Sequence, residues 1–208
     1  MSSTSRVAVV TGGSRGIGRV VIRRPAAAGY DVAVVYAVNQ TEAAAAVKEV
    51  EVVGGVGRAY QADVADASVI EQVFGSVEEQ FGGIDVVVNC RRHHAAGPRR
   101  RRASTVTRLH LPAYGAYAAT KGAVEALVPI LTKELAGRDI TVNAVAPGPT
   151  ATDLFLDGKS QEAIDKIARA NPMGRLGTPE EIAEVVTTLA HRARWINGQT
   201  VFVNGGFA

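Results

Sequence analysis

Tyr117-Ala-Ala-Thr-Lys121 sets a phenol and an ammonium four residues apart, which places both on one face of a helix. A nearby cation favours the phenolate and draws a tyrosine pKa down from about 10 toward neutrality, as a proton donor and acceptor for a carbonyl/alcohol pair requires. Thirteen residues upstream, Ser104 offers a hydroxyl to the same substrate oxygen. A Tyr and a Lys at this spacing also arise on ordinary helices, so the pair alone decides little. A second motif lies near the N-terminus, where Val7-Ala-Val-Val-Thr11 runs into Gly12-Gly-Ser-Arg-Gly16-Ile-Gly18. Glycines here permit a tight turn, let a dinucleotide pyrophosphate approach the backbone, and leave helix N-terminal N–H groups facing it. A glycine-rich turn is weak evidence by itself; a place after the first strand of an alternating chain strengthens it.

The elements that must position these residues follow from the hydrophobic pattern. Short β-branched runs at Val7–Thr11, Asp31–Tyr36, Gly57–Gln61, Ile84–Asn89, Ile140–Val145 and Thr200–Val203 predict strands. Helical segments are expected at Ile17–Ala28, Thr41–Val53, Ala67–Phe81, Tyr117–Leu135, Gln161–Ala170 and Pro179–Ala190. Thr178-Pro179-Glu180-Glu181 has the form of a helix start, with a capping Thr, Pro at the first helical position and Glu at the third. Pro25 conflicts with this reading, because a proline inside a helix costs about 3 kcal/mol unless the helix kinks or ends there. The alternation predicts an α/β fold of the Rossmann type, a doubly wound parallel sheet with helices on both faces, as one domain over residues 1–208.

Composition limits the function classes. The 208 residues are 47% hydrophobic and 21% charged, with one cysteine, so a secreted disulfide scaffold is excluded. No apolar run approaches the roughly 18 to 20 residues of a membrane span, and Met1–Arg6 leads directly into an apolar segment, so a cytoplasmic protein without membrane attachment is expected. The net charge of +3 is local in origin. Seven Arg and no acid lie between Arg91 and Arg108, which leaves 16 basic against 20 acidic residues elsewhere.

Thr11-Gly12-x-x-x-Gly16-x-Gly18, Asp63-Val64, Ser104, Tyr117-x-x-x-Lys121, and Pro147-Gly148 followed by Thr152 together resemble the short-chain dehydrogenase/reductase family, with a general likeness to 3-oxoacyl-carrier-protein reductases. The resemblance covers Ser5 to Asn89 and Ser104 to the C-terminus. It implies that Gly12, Ser14, Arg15, Gly16, Ile17 and Gly18 form the cofactor loop. Asp63 and Val64 would contact the adenine, and Asn89 would close the fourth strand. By the same resemblance Tyr117 is the catalytic acid/base, Lys121 lowers its pKa and holds the nicotinamide ribose, and Ser104 orients the substrate carbonyl. Pro147, Gly148, Thr150 and Thr152 form the nicotinamide side of the cofactor site, Thr152 at the carboxamide. The family's usual dimers and tetramers make a homo-oligomer an expectation, and the C-terminal Trp195 to Gly206 resembles its last strand, used for packing and oligomer contacts. Cofactor choice has a separate physical reading. NAD-specific dinucleotide folds place an acid at the end of the second strand, where this chain has Tyr36, then Ala37, Val38 and Asn39. No carboxylate repels a 2′-phosphate there and Arg15 can pair with one, so NADP(H) is expected over NAD(H).

One segment departs from the pattern. From Asn89 to Tyr117 there are 28 residues, whereas a strand–helix–strand unit takes about 30 or more, so one crossover unit is expected to be missing. Cys90-Arg-Arg-His-His-Ala-Ala-Gly-Pro-Arg-Arg-Arg-Arg102 is neither apolar nor helically patterned. Burying those guanidinium groups unpaired costs several kcal/mol each, against a typical domain stability of about 5 to 15 kcal/mol, so the stretch is expected to be exposed. The codons of Cys90 to His94 admit a spelling whose shifted frame reads Ala-Gly-Val-Thr, which motivates the hypothesis of a frameshift combined with a deletion. Cys90, His93 and His94 match no compact zinc spacing, so no metal is expected.

The reading of function is therefore an oxidoreductase that moves a hydride between NADP(H) and a small carbonyl/alcohol substrate. The alternative is a catalytically inactive dinucleotide-binding or damaged member of the same family. An Arg-rich nucleic-acid binder would show salt-dependent DNA retention, but the run lacks interleaved aromatics and a nucleic-acid-binding fold, so no nucleic-acid partner is expected.

Overall fold

A computed structural model of the chain describes residues 5–90, 105–110 and 112–208. It divides into two compact units, Met1–His94 and Ala95–Ala208, whose border falls within the Arg-rich segment.

In the first unit, β1 (Arg6–Thr11), β2 (Tyr30–Tyr36), β3 (Gly57–Gln61) and β4 (Val86–Asn89) form one parallel sheet in the order β3-β2-β1-β4. The register runs Val9 to Ala33 on one side of β1 and Val9 to Val87 on the other. The near-continuous valine runs of β1 and β2 belong to strands covered on both faces, as parallel sheets require. On one face Val7, Val9, Ala33 and Val35 pack with Val73 and Val77 of α3 (Ala67–Phe81), closed at the margin by Tyr60, Phe74 and Ile84. Side chains alternate along a strand, so Ala8, Val10, Val32 and Val34 point to the other face, where they are fully buried. Helices α1 (Gly16–Ala27) and α2 (Gln40–Val52) contribute the buried Val21, Ile22, Ala43, Ala46 and Val50.

Local signals set the ends of these helices. Asn39 caps α2 by accepting the Glu42 N–H at 3.0 Å, and Asp66 caps α3 by accepting those of Ser68 and Val69. Gly82 ends α3 at φ 87°, a conformation that suits glycine. Pro25 lies within α1, but the helix runs only two residues past it, and the N–H of Ala28 returns to the carbonyls of Arg24 and Pro25. The conflict in the sequence is thus met by ending the helix at Ala27.

The second unit contains α4 (Val106–Leu109), α5 (Gly115–Glu134), β5 (Ala144–Pro147), α6 (Asp153–Leu156), α7 (Gln161–Arg169), α8 (Pro179–His191) and β6 (Thr200–Val203). Strands β5 and β6 pair in parallel, Ala144 with Thr200 and Pro147 with Val203. The expected capping box forms at α8, where the Glu181 N–H donates to the Thr178 hydroxyl and the Thr178 N–H to the Glu181 carboxylate. The strand expected at Ile140–Val145 instead runs over Ala144–Pro147. Side-chain amides displace the ladder before it: Asn197 Oδ1 accepts the Val142 N–H at 2.8 Å and Asn143 Nδ2 donates to the Ile196 carbonyl at 2.7 Å. The four-residue helices α4 and α6 are too short to show a helical period. Among the described residues, α4 alone stands between β4 and α5, and the Arg91–Arg102 stretch lies outside them.

Candidate active site

In the first unit the glycine loop leaves β1 and enters α1. Gly12 and Gly16 have φ of 68° and 56°, which glycine adopts without strain. At Gly18 the demand is steric, since a Cβ there would stand 2.3 Å from the Gly12 carbonyl oxygen. Arg15, at the N-cap of α1, is extended and exposed, and its side chain does not cap the helix. Among the described residues Arg15 thus leaves the first N–H groups of that helix without a side-chain cap, and N–H groups at a helix N-terminus are what a pyrophosphate needs. The residues present thus fit a dinucleotide.

Around the loop, Ser14 is buried and Ile17 half-buried. Tyr36 is buried, and its carbonyl accepts the Ala62 N–H at 2.8 Å. Asp63 is exposed and accepts the Ala65 N–H at 2.9 Å, with Val64 half-buried beside it. The Thr11 hydroxyl donates to Asn89 Oδ1 at 2.8 Å, which ties the ends of β1 and β4. Glu42, the first acid after β2, is paired with Arg19 of α1, which also bonds Glu49 at 2.9 Å. The Arg23 guanidinium, and next to it that of Arg19, hold the Glu49 carboxyl below its ordinary range. Cys90 follows β4, with its Cβ 3.2 Å from where a Gly18 Cβ would lie, and burial pushes its thiol up to about 12.

In the second unit, Tyr117 and Lys121 occupy successive turns of α5, and Lys121 Nζ stands 5.5 Å from the Tyr117 ring centre. Both are half-buried. Ser104 lies outside the described residues. Its neighbour Thr105 is fully buried and bound twice to the Pro147 carbonyl, by its hydroxyl at 2.7 Å and its N–H at 3.4 Å. The chain next to Ser104 is therefore anchored at the end of β5.

Beyond Pro147 the chain passes through Gly148, Pro149 and Thr150 to Thr152. The Thr150 hydroxyl donates to the Gly148 carbonyl at 2.9 Å, and the Thr152 hydroxyl caps α6 through the Phe155 N–H at 3.1 Å. Gly177 pairs with this loop as a short parallel bridge. Neither Gly177 nor the supporting Asn171 and Asn204 were expected from the sequence. Gly177, just before the capping box, and Asn204, in the Asn-Gly-Gly after β6, carry a turn signal; Asn171 carries none.

These features define a Rossmann-type dinucleotide-binding protein with a tyrosine–lysine pair on a helix. A model described as short chain dehydrogenase matches residues 6–100, and one described as Enoyl-(Acyl carrier protein) reductase matches residues 101–208. The chain belongs to the short-chain dehydrogenase/reductase family, a class of NAD(P)-dependent oxidoreductases. It is 37% identical to a short-chain type dehydrogenase/reductase of Picea abies, over 97% of this chain and 92% of that one. It is 34% identical to the 3-oxoacyl-[acyl-carrier-protein] reductase FabG of Staphylococcus aureus, over 97% and 98% of the two chains. Among solved structures, a short-chain dehydrogenase/reductase from Serratia marcescens superposes with a TM-score of 0.87 at 30% identity over 97% of each chain. An actinorhodin polyketide ketoreductase with NADPH gives 0.87 at 27% identity, over 100% of this chain and 99% of that one. The Picea alignment runs over 248 residues, more than the 208 of this chain, so that relative carries residues without counterpart here.

Proposed function

We propose that the chain interconverts a small carbonyl compound and its alcohol with NADP(H). The observation that carries this reading is the Tyr117–Lys121 pair of α5 in a chain that also holds a glycine loop closed too tightly for any side chain at Gly18. Gly12, Ser14, Arg15, Gly16, Ile17 and Gly18 hold the pyrophosphate side of the cofactor, with Tyr36, Asp63, Val64 and Asn89 around the adenosine half. Pro147, Gly148, Thr150 and Thr152 hold the nicotinamide side. Bound there, the cofactor supplies or accepts a hydride at the substrate carbon. In the reductive direction the Tyr117 hydroxyl gives its proton to the developing alkoxide; in the oxidative direction the phenolate takes it back. Lys121 favours the phenolate by its charge and lowers the cost of that transfer. By the family resemblance alone, Ser104, outside the described residues, would donate a hydrogen bond to the substrate oxygen.

Preference for NADP(H) rests on charge. The turn after β2 bears no acid, and the next one along the chain, Glu42, is paired with Arg19. Arg15 is exposed at the loop, where a 2′-phosphate would find a guanidinium. A relative from Arabidopsis thaliana, 34% identical, is named an NADPH-dependent aldehyde reductase-like protein, in agreement with this choice.

Titration with NADPH and NADH, followed by a ketone screen, tests the reading. Tyr117→Phe is expected to lower kcat by about 10² to 10⁴ while NADPH affinity stays near wild type. Unchanged turnover in that variant would refute the role of Tyr117. A second reading, cofactor binding without turnover, draws on the Picea alignment that outruns this chain. A wild-type protein that binds NADPH but reduces no ketone would favour it.

A further inference from the structure

We propose that Asn171 is a positioning residue for the loop Pro147–Thr152, an inference that rests on the assignment of the nicotinamide side of the cofactor to that loop. The loop is held at Pro147 by Thr105 and at Gly148 by an N–H bond to the Val203 carbonyl at 2.9 Å, and two further neighbours flank the turn. Gly177 is the first: its N–H donates to the Pro149 carbonyl at 2.9 Å, and its carbonyl accepts the Ala151 N–H at 2.8 Å. Asn204, which follows β6, is the second. Gly148 lies so close against it that a Cβ on Gly148 would stand 2.8 Å from both Cα and Cβ of Asn204. At that distance the two backbones move together, and the placement of Asn204 sets the placement of Gly148.

Asn171 ties Asn204 to the segment that follows α7, whereas among the described residues the other bonds of Asn204 run only to Gly206, Phe207 and Ala208 beside it. The Asn171 Nδ2 donates to the Asn204 carbonyl at 2.9 Å, and its Oδ1 accepts the Met173 N–H at 2.8 Å. The residue is 6% exposed, so water does not readily replace either bond. Gly205 packs on the same carboxamide; at φ 62° a Cβ there would lie 2.7 Å from Oδ1. The carboxamide thus joins the end of α7 to the end of β6, one backbone contact from Gly148. A cavity of about 120 Å³ lined by Gly148, Asn204 and Gly205 gives the unit room to shift once the Nδ2 donor is lost.

The test compares wild type with Asn171→Ala and Asn171→Asp. The aspartate keeps an acceptor for the Met173 N–H and removes the donor to Asn204, so it carries the comparison if the alanine variant does not fold. Affinity is measured for NADPH and for adenosine 2′,5′-bisphosphate, which lacks the nicotinamide half. Amide hydrogen exchange over residues 147–152 is followed in the cofactor-free protein. Both variants are expected to bind NADPH about tenfold more weakly, the scale of one buried hydrogen bond, with bisphosphate affinity unchanged. The Gly148 and Ala151 amides should exchange faster. Equal losses for the two ligands, or unchanged exchange at Gly148 and Ala151, would overturn the proposal. A wild-type protein that binds neither ligand would refute the cofactor assignment instead, and the exchange data would still decide whether Asn171 holds the loop.

Discussion

Replacing Gly18 by alanine tests the geometry of the cofactor loop most directly. The added Cβ would stand 2.3 Å from the Gly12 carbonyl oxygen and 2.9 Å from its carbon, where ordinary contact begins at 3.4 Å. Both atoms are backbone, so no rotamer change relieves the clash, and Gly12 must retreat by about 1 Å to restore ordinary contact. Overpacking of this kind costs about 1 to 3 kcal/mol, or roughly 5- to 150-fold in an equilibrium constant. NADPH affinity is therefore expected to fall at least about fivefold, with a lowered Tm if the strain reaches β1. Gly75 supplies the control. It lies within α3, a Cβ there meets nothing within 4 Å, and Gly75→Ala should stabilise the protein by about 0.5 to 1 kcal/mol while leaving cofactor affinity alone. The assay is a fluorescence titration with NADPH beside a thermal melt for each variant. Wild-type affinity together with wild-type Tm in Gly18→Ala would refute the steric argument.

Other predictions follow from charge. Arg15→Ala should weaken NADPH binding about tenfold or more and leave NADH binding nearly unchanged, because only the former offers a 2′-phosphate to the guanidinium; parallel titrations check it, and equal losses would refute the pairing. The Glu181 carboxyl is held down at about 2 from an ordinary 4.5, first by its hydrogen bond from Arg175 and then by the Thr178 N–H. Because the folded value is depressed, this contribution to stability is fully present above the unfolded value and is lost as pH falls through the folded one. The Tm gap between wild type and Glu181→Gln should therefore be clear near about pH 6 and shrink toward about pH 2. A gap independent of pH would show that packing, not ionisation, accounts for it.

Most of the fold could be read from local signals, and the exceptions have physical causes. The valine runs of β1 and β2 and the Thr178 capping box each depend on neighbours in sequence, so pattern and structure agree there. The strand at Ile140–Val145 is displaced because Asn197, 55 residues from Val142, captures its backbone, a contact no window contains. The same holds for the candidate site: Tyr117 and Lys121 are four residues apart and legible together, whereas Asn171 reaches Asn204 across 33 residues. A long-range side chain to backbone bond leaves no periodic trace.

The Arg-rich segment is the place where sequence, structure and comparison all change at once. The two compact units divide at His94, and the two family models meet between Arg100 and Arg101. The relatives' alignments run over 248 and 241 positions, longer than the 208 residues of this chain, which agrees in sense with a lost crossover unit of about 30 residues or more. A simple deletion would leave family-like sequence on either side of the join. Cys90 to Arg102 has instead no apolar pattern, and a shift of reading frame accounts for that as a deletion alone does not. Resequencing the coding DNA decides between them: codons 90 to 94 are expected to give Ala-Gly in the next frame, and any other spelling would refute the frameshift while leaving the deletion standing.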